Sequence, residues 1–295
     1  MESRLKKSIV IILSFLLWFS NTSQASHGEK RSEYVVIKPV VNMYRLPSHD
    51  SDVVSQAIYG SEVTLLESHR GWERVRTSDQ YTGWVRKDGL KRLEEYGKSG
   101  SVVRVSQLSA NIYQDRNITK HEPIITIPWE SRLEVIENDA SDRRSLQVRL
   151  PDGRYGYVQR GDVSASFETV DIATSIAIAK RFLGVTYTWG GTSAFGFDCS
   201  GFVQMIMRQR GILMPRDADQ QAAWTGVQSV ERKDLQPGDL LYFGSSINDI
   251  THTGMYIGDH QFIHDTTHEH PMVQISNLDD APWTTLLVAA RRAKQ

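Results

Sequence analysis

Cys199 is the only cysteine among 295 residues, and it begins a segment with the pattern of a helix. Apolar residues recur at helical spacing between Phe202 and Ile206, and Gly211 follows, so we predict a helix from Cys199 to Arg210. A thiol in the first turn of a helix can have its pKa lowered from ~8.5 to roughly 3.5–7.5. Cys199 is therefore a candidate nucleophile, although a lone cysteine is more often a small buried apolar residue.

Two histidines, His252 and His264, are the candidates to take the thiol proton. They lie in successive predicted strands joined by residues 258–260. A three-residue loop places Ile257 opposite Gln261 and leaves both histidines on one sheet face, as diagonal neighbours ~7–8 Å apart between backbones. A two-residue loop would put them on opposite faces. In the first register, His252 is the general base and acid, and His264 orients it.

The rest of the second half supplies the elements that position these residues. The backbone N–H of Cys199, at the helix start, is a natural donor to an oxyanion. An amphipathic helix is predicted over residues 169–183, because its apolar residues follow helical spacing and Gly184 ends it. Further elements are predicted from apolar runs and turn residues: a short helix opening at residues 215–221 and strands at residues 239–243 and 288–292.

Residues 34–165 contain an internal duplication. Three residues recur in the second copy with unchanged spacing: Val75, Asp79 and Gly83 return as Val148, Asp152 and Gly156. Each copy has the pattern of short strands separated by turn residues, which predicts two small β-barrels. We expect the aromatic residues of these copies, Trp72, Trp84 and Tyr157, to be mainly core residues.

The N-terminus has the pattern of an export signal. Arg4, Lys6 and Lys7 precede a largely apolar run over residues 9–19, and Ser23-Gln24-Ala25 provides small residues for cleavage. We therefore predict a cleavable signal peptide over residues 1–25 and an exported protein, periplasmic or extracellular, with an uncleaved anchor as the alternative. The net charge of -1 argues against a nucleic-acid partner.

Residues 170–295 resemble the NlpC/p60 family of cell-wall cysteine peptidases, and the two copies before them resemble bacterial SH3-like modules. The resemblance is carried by blocks in the family's order: Tyr187-x-Trp189-Gly-Gly, Phe197-Asp198-Cys199-Ser200-Gly201, Pro215-Arg216-Asp217-Ala218, Pro237-Gly238-Asp239-Leu240, His252-Thr-Gly, Phe262-Ile-His264 and Ala290-Arg291-Arg292. It implies an α+β chain, a papain-like catalytic domain preceded by two small all-β SH3-like barrels. The expected boundaries are residues 34–95, 101–166 and 169–295.

The resemblance extends to γ-D-glutamyl-L-diamino acid endopeptidases, which process muropeptides with a free N-terminal L-alanine. It assigns the catalytic roles to Cys199, His252 and His264. It implies that the first module closes one end of the cleft and that the substrate is contacted by Tyr81, Asp198, Ser200, Asp217 and Ala218. Trp189 is either a core residue or a wall of that cleft.

We expect peptidoglycan stem peptides or muropeptides as partners, with no cofactor, no metal, no stable membrane span after signal cleavage and a monomeric state. The histidines His264, His268 and His270 suggest a metal site, but no cysteine or acidic residue completes it, and a solvated loop is expected for the last two. Two other functions stay open. One is a catalytically silent wall-binding protein, and the other is a cysteine amidase or acyltransferase on other substrates.

Overall fold

The structure is a computed structural model that describes residues 33–92, 96–97, 100–138 and 141–294. The predicted signal peptide lies outside the described residues. Among those residues, no helix has both the length and the apolar character needed to cross a bilayer.

The first module is a sheet of seven short strands. They are β1 (Glu33–Val36), β2 (Val40–Tyr44), β3 (Val53–Ile58), β4 (Glu62–His69), β5 (Trp72–Arg76), β6 (Thr82–Arg86) and β7 (Leu90–Arg92). Their order in the sheet is β3-β2-β6-β5-β4-β1-β7. Alternate residues face a small apolar core that includes Val36, Met43, Val75 and Val85. Each strand is too short to be stable alone, so the curved sheet and its core form together.

The second module repeats this arrangement strand for strand. Its strands are β8 (Ser101–Val105), β9 (Ser109–Tyr113), β10 (Ile125–Pro128), β11 (Arg132–Glu137), β12 (Ser145–Arg149), β13 (Tyr155–Gln159) and β14 (Val163–Ser164). The sheet order is β10-β9-β13-β12-β11-β8-β14, which is the order of the first module shifted by seven strands. The duplication predicted from the sequence is therefore confirmed at the level of topology.

The repeated glycine has a packing reason. A Cβ at Gly83 would lie 2.9 Å from the Cβ of Met43, and a Cβ at Gly156 would lie 2.6 Å from a methyl of Ile112. Both distances are shorter than real side chains tolerate, so only glycine lets β6 and β13 pack against their cores at these points.

The last part of the chain combines four helices with a six-stranded sheet. The helices are α1 (Ile172–Lys180), α2 (Cys199–Gln209), α3 (Ala218–Ala223) and α4 (Trp283–Leu286). The strands are β15 (Thr192–Ser193), β16 (Gly196–Phe197), β17 (Val227–Ser229), β18 (Leu240–Ser246), β19 (Asp249–Gly258), β20 (Gln261–Thr266), β21 (Met272–Asn277) and β22 (Leu287–Ala293). The main sheet has the order β17-β22-β18-β19-β20-β21, and β15 pairs only with β16.

The two faces of the main sheet bury different cores. One face packs against α2 and its neighbours through residues such as Phe202, Ile206 and Ile263. The other face holds an aromatic core with Phe243, Phe262 and Trp283. The predicted α+β class, with two SH3-like barrels before a papain-like domain, is confirmed. The helix predicted to start at Cys199 does so, whereas β21 and α4 were not predicted.

Candidate active site

Cys199 is the first residue of α2 because Asp198 caps that helix. The Asp198 carboxylate accepts a 2.7 Å hydrogen bond from the backbone N–H of Gly201, and its own backbone is extended. The cysteine is 8% exposed. Its sulfur faces the backbone N–H groups of Ser200 and of Thr253, the residue after His252. The nucleophile candidate and the strand of the base candidate are therefore in contact.

The expected low pKa of the thiol is wrong for this structure. Burial is the largest influence and raises the pKa of Cys199 to about 12, and the neighbouring Asp198 carboxylate acts in the same direction. The two backbone N–H groups and Arg216 lower it by less. The thiol at the helix start is therefore neutral. The cost of removing the charged thiolate from water is larger than the stabilisation that the N–H groups and Arg216 provide. The thiol proton must leave to a base when the sulfur attacks.

The hairpin between β19 and β20 keeps both histidines on one sheet face, as expected, but its turn differs from the three-residue loop that we predicted. Its turn has two residues, Asp259 and His260, both with positive φ, rather than three. A bulge between Tyr256 and Gly258 inserts one extra residue, Ile257, into β19. This residue restores the register that a three-residue loop would have given, so the expected placement is confirmed although the loop length was wrong.

The two histidines form a hydrogen-bonded pair. His252 Nε2 lies 2.7 Å from His264 Nδ1, and His264 Nε2 lies 2.9 Å from the hydroxyl of Ser276 on β21. Trp283 packs on both rings, with centroids 5.2 Å from His252 and 4.8 Å from His264. Phe262 contacts His264 at 4.4 Å between centroids. The pair is therefore held between apolar aromatic walls.

These walls keep both imidazoles neutral. Burial lowers the pKa of His252 to about 3 and lowers the pKa of His264 well below its ordinary value, with His268 contributing in both cases. In the tautomer in which Ser276 accepts from His264 Nε2–H, His264 Nδ1 accepts from His252 Nε2–H. In that tautomer His252 Nδ1 is unprotonated and is the atom that can receive the thiol proton. This chain of contacts gives His264 the geometry of an orienting group.

Arg216 forms an ion pair with the carboxylate of Asp198. The guanidinium, which is 2% exposed, donates to the two Asp198 oxygens at 3.0 and 2.5 Å and to Ser200 Oγ at 2.8 Å. It also donates to Ser55 Oγ of the first module at 3.2 Å. Two buried charges neutralise each other in this bidentate pair. Asp198 and Ser200 therefore support the nucleophile loop, and Asp198 has no spare charge for a substrate ammonium.

The first module contributes Tyr81 to the edge of the site. Its hydroxyl donates to Asp217, 3.2 Å and 3.4 Å from the two oxygens, and both residues are half-buried. Burial raises the pKa of Tyr81 to about 12 and also raises the pKa of Asp217. No arginine or lysine among the described residues forms an ion pair with Asp217. An open crevice of about 480 Å³ reaches this pair.

Ala218 and Trp189 are two further residues that we expected to contact the substrate. Ala218 begins α3 directly after Asp217 and is half-buried. Trp189 is 71% exposed, so it is not a core residue, and its ring is available to a ligand. The next residue, Gly190, has φ +75, and a Cβ there would lie 2.6 Å from Val53 of β3. Glycine at this position lets the first module approach the loop that carries Trp189.

His268 and His270, the other two histidines considered for a metal site, are exposed, and the ring of His268 packs against Trp283 at 5.4 Å between centroids. Within the part of the chain that the structure describes, no three His, Cys, Asp or Glu side chains are placed to hold a metal ion.

Comparison with known proteins decides the family. Residues 184–292 match the model of the NlpC/P60 family, and residues 43–90 match the bacterial dipeptidyl-peptidase Sh3 domain. The γ-D-glutamyl-L-lysine dipeptidyl-peptidase of Bacillus cereus (strain ATCC 10987 / NRS 248) is 32% identical over 255 residues, 81% of this chain and 74% of the relative. The chain belongs to the NlpC/P60 family. It is a cysteine peptidase with an N-terminal bacterial SH3 domain.

Two further proteins resemble most of the chain. The γ-D-glutamyl-L-lysine dipeptidyl-peptidase of Bacillus subtilis (strain 168) is 28% identical, over 82% of each chain. The crystal structure of an NlpC/P60 family protein from Bacillus cereus ATCC 10987 has a TM-score of 0.77 at 26% identity, covering 89% of this chain and 99% of that one. The likeness therefore includes the modules as well as the peptidase domain.

Sequence reasoning missed two residues of this NlpC/P60 site. Arg216 is part of a block that the sequence analysis recognised, but nothing in the sequence showed that it would pair with Asp198. Ser276 lies on a strand that the sequence did not predict. Its distance of twelve residues from His264 carries no pattern, and only the β20–β21 pairing brings the two together.

Proposed function

We propose that this protein hydrolyses the γ-D-glutamyl–diamino acid bond of peptidoglycan stem peptides and releases L-alanyl-γ-D-glutamate from peptides with a free N-terminal L-alanine. The names of the two Bacillus relatives support the bond and the lysine-containing substrate class. The Cys199, His252 and His264 arrangement supports the chemistry. The proposal also includes export, since a peptidase of the wall must meet its substrate outside the membrane.

In the proposed reaction, Cys199 Sγ attacks the γ-carbonyl carbon of the D-glutamyl residue while His252 Nδ1 takes the thiol proton. The oxyanion is met by the backbone N–H of Cys199, since first-turn amides of a helix have no acceptor within the helix. His252 then gives the proton to the leaving amine, and a thioester remains on the sulfur. Water, deprotonated by His252, attacks the thioester and frees both the thiol and the glutamyl carboxylate.

The observation that carries the substrate proposal is the contact between Tyr81 and Asp217. A half-buried carboxylate without an ion-pair partner among the described residues is suited to bind a primary ammonium. Asp198, the other carboxylate expected here, is already neutralised by Arg216. We therefore assign the free N-terminal amine to Asp217, with Tyr81 fixing its carboxylate. The exposed ring of Trp189 offers an apolar surface for the peptide.

Mass spectrometry of digested peptides tests this function. The substrates are L-Ala-γ-D-Glu-L-Lys, the corresponding diaminopimelate peptide, and the N-acetylated form of each. We expect L-Ala-γ-D-Glu from the free peptides and at least about tenfold slower release from the acetylated ones, since losing one charged contact costs ~1.5–3 kcal/mol. Equal rates for free and acetylated peptides would rule out recognition of the free amine. If neither peptide is cleaved, the γ-D-glutamyl–diamino acid bond is not the substrate bond.

A further inference from the structure

Gln221 is a buried amide that the proposed chemistry does not use. It lies on α3 and is 0% exposed. Its Nε2 donates to the backbone carbonyls of Pro215 at 2.9 Å, Ser200 at 3.1 Å and Arg216 at 3.3 Å. All three partners are acceptors, so only the NH2 end of the side chain can face them. Three carbonyls therefore fix the orientation of this amide.

The backbone of Gln221 binds the same segment as its side chain. Its N–H donates to the carbonyl of Asp217 at 2.9 Å, in the first turn of α3. Three successive carbonyls, those of residues 215, 216 and 217, thus accept hydrogen bonds from this one residue. Asp217 is the residue to which the proposed function assigns the substrate amine. Gln221 therefore fixes the main chain that carries the amine-binding carboxylate.

The remaining carbonyl belongs to the nucleophile helix. Ser200 follows Cys199 in the first turn of α2 and is buried. Gln221 joins its carbonyl to the two carbonyls that directly precede Asp217. Arg216 makes a second link, to Ser200 Oγ at 2.8 Å, but through its own long side chain. Gln221 is bound to the main chain of both segments.

The other end of the amide shows that the donated hydrogen bonds hold the side chain in place. Gln221 Oε1 is buried and has no hydrogen-bond partner among the described residues. A buried acceptor without a partner costs free energy, so this end of the amide gives the side chain no reason to stay. The contacts of its NH2 group with the three carbonyls offset that cost.

We propose that Gln221 is a positioning residue that sets the distance between the amine-binding carboxylate of Asp217 and the sulfur of Cys199. L-Alanyl-γ-D-glutamate has a fixed number of bonds between its ammonium and its γ-carbonyl carbon. Both groups reach their partners at once only if the two protein segments keep one separation, and a misplacement of about 1 Å can cost ~100-fold in rate. The inference rests on the proposed function, which assigns the amine to Asp217.

The preference for free over acetylated peptide tests this role. Gln221→Met keeps nearly the same side-chain volume and removes the donors. We expect kcat/KM for L-Ala-γ-D-Glu-L-Lys to fall about tenfold and kcat/KM for its N-acetylated form to stay within about twofold, because the acetylated peptide has no ammonium for Asp217 to hold. Gln209→Met should keep the wild-type preference. It is the matched control, since Gln209 is a buried glutamine with an unpartnered amide atom at the far end of α2.

An equal loss of kcat/KM on both peptides, or an unchanged preference for the free one, overturns the inference. If Gln221→Met does not fold, Gln221→Asn replaces it, because its amide is one methylene too short to keep all three contacts. A wild-type enzyme that cleaves neither peptide, or that does not prefer the free one, contradicts the proposed function instead.

Hydrogen–deuterium exchange needs no peptide, so it separates this inference from the proposed function. The amides of residues 216–221 should exchange at least about tenfold faster in Gln221→Met than in the wild type, because their segment loses its attachment to α2. The amides of β12, in the second module, should exchange at the wild-type rate. Unchanged exchange over residues 216–221 overturns the inference whatever the peptides show.

Discussion

Tyr81 of the first module donates its hydroxyl to Asp217, which lies 136 positions later and directly precedes α3. In the proposed function, this contact makes the β-module part of the substrate site. The proposal also assigns the free amine of the substrate to a carboxylate that is held by another module. Amine recognition should therefore be separable from peptide hydrolysis by substitution.

Tyr81→Phe removes the hydroxyl and keeps the ring. We expect KM for L-Ala-γ-D-Glu-L-Lys to rise about fivefold, because one hydrogen bond in a partly exposed site contributes ~1 kcal/mol, with kcat within about twofold of wild type. Steady-state kinetics measure both. Tyr34→Phe is the control, since Tyr34 lies on β1 of the same module and pairs with β4 and β7. A lower kcat at unchanged KM would instead place Tyr81 in the chemical step.

Gly190 and Gly184 form a matched pair for testing how the first module packs against the loop that carries Trp189. Both have positive φ, so alanine costs ~1–2 kcal/mol of backbone strain at either position. A Cβ at Gly184 meets nothing within 4 Å, whereas one at Gly190 meets Val53 at 2.6 Å. Gly190→Ala should therefore destabilise the protein by a further ~1–3 kcal/mol in urea unfolding and weaken discrimination against acetylated peptide. Equal destabilisation by both substitutions would contradict this packing.

In the proposed mechanism His264 acts on the reaction through His252, so its loss should reduce catalysis without removing it. We expect His264→Ala to lower kcat about 100-fold, within the range of a misplaced general base, and Ser276→Ala to lower it about fivefold, as for one hydrogen bond. Ser229→Ala, on β17 at the other edge of the sheet, is the control for the fold. A Ser276→Ala enzyme with wild-type kcat would show that His264 needs no support.

The neutral pair of Cys199 and His252 predicts how stability depends on pH. The pKa of His252 is about 3 in the folded protein, against an ordinary 6.5, so the unfolded chain binds more protons between these values and stability falls as pH drops below 6.5. The pKa of Cys199 is about 12, against an ordinary 9.0, so stability falls again as pH rises above 9. The contribution of this pair to the urea midpoint should be largest between pH 6.5 and 9. Cys199→Ala should reduce the alkaline loss, and an unchanged loss would contradict the raised pKa of the thiol.

The sequence predicted the parts of the fold that depend on local pattern. Spacing located α2 from its first residue, Cys199, and the repeated Val75 and Val148 located two barrels whose strand orders are the same. The class of the active site followed from the order of its motifs. These features depend on residues that are close together in the chain or on the internal duplication.

The missing features depend on contacts between distant segments. The bulge at Ile257 offsets a two-residue turn, and no local rule distinguishes this pair of irregularities from a plain three-residue loop. The pKa of Cys199 was misjudged because helix position is readable from sequence, whereas the burial of the sulfur by distant segments is not. The partner of Asp198 was missed for the same reason, since Arg216 reaches it only after α2 has turned the chain back.

The central claim is that Cys199 attacks the γ-D-glutamyl carbonyl with His252 as its base. Its most direct test is the rate of L-Ala-γ-D-Glu release from L-Ala-γ-D-Glu-L-Lys by wild type, Cys199→Ala and His252→Ala, each shown by circular dichroism to be folded. We predict release by wild type, none above background for Cys199→Ala, and at least about a 100-fold loss for His252→Ala. Release of the dipeptide by folded Cys199→Ala at the wild-type rate would contradict the account.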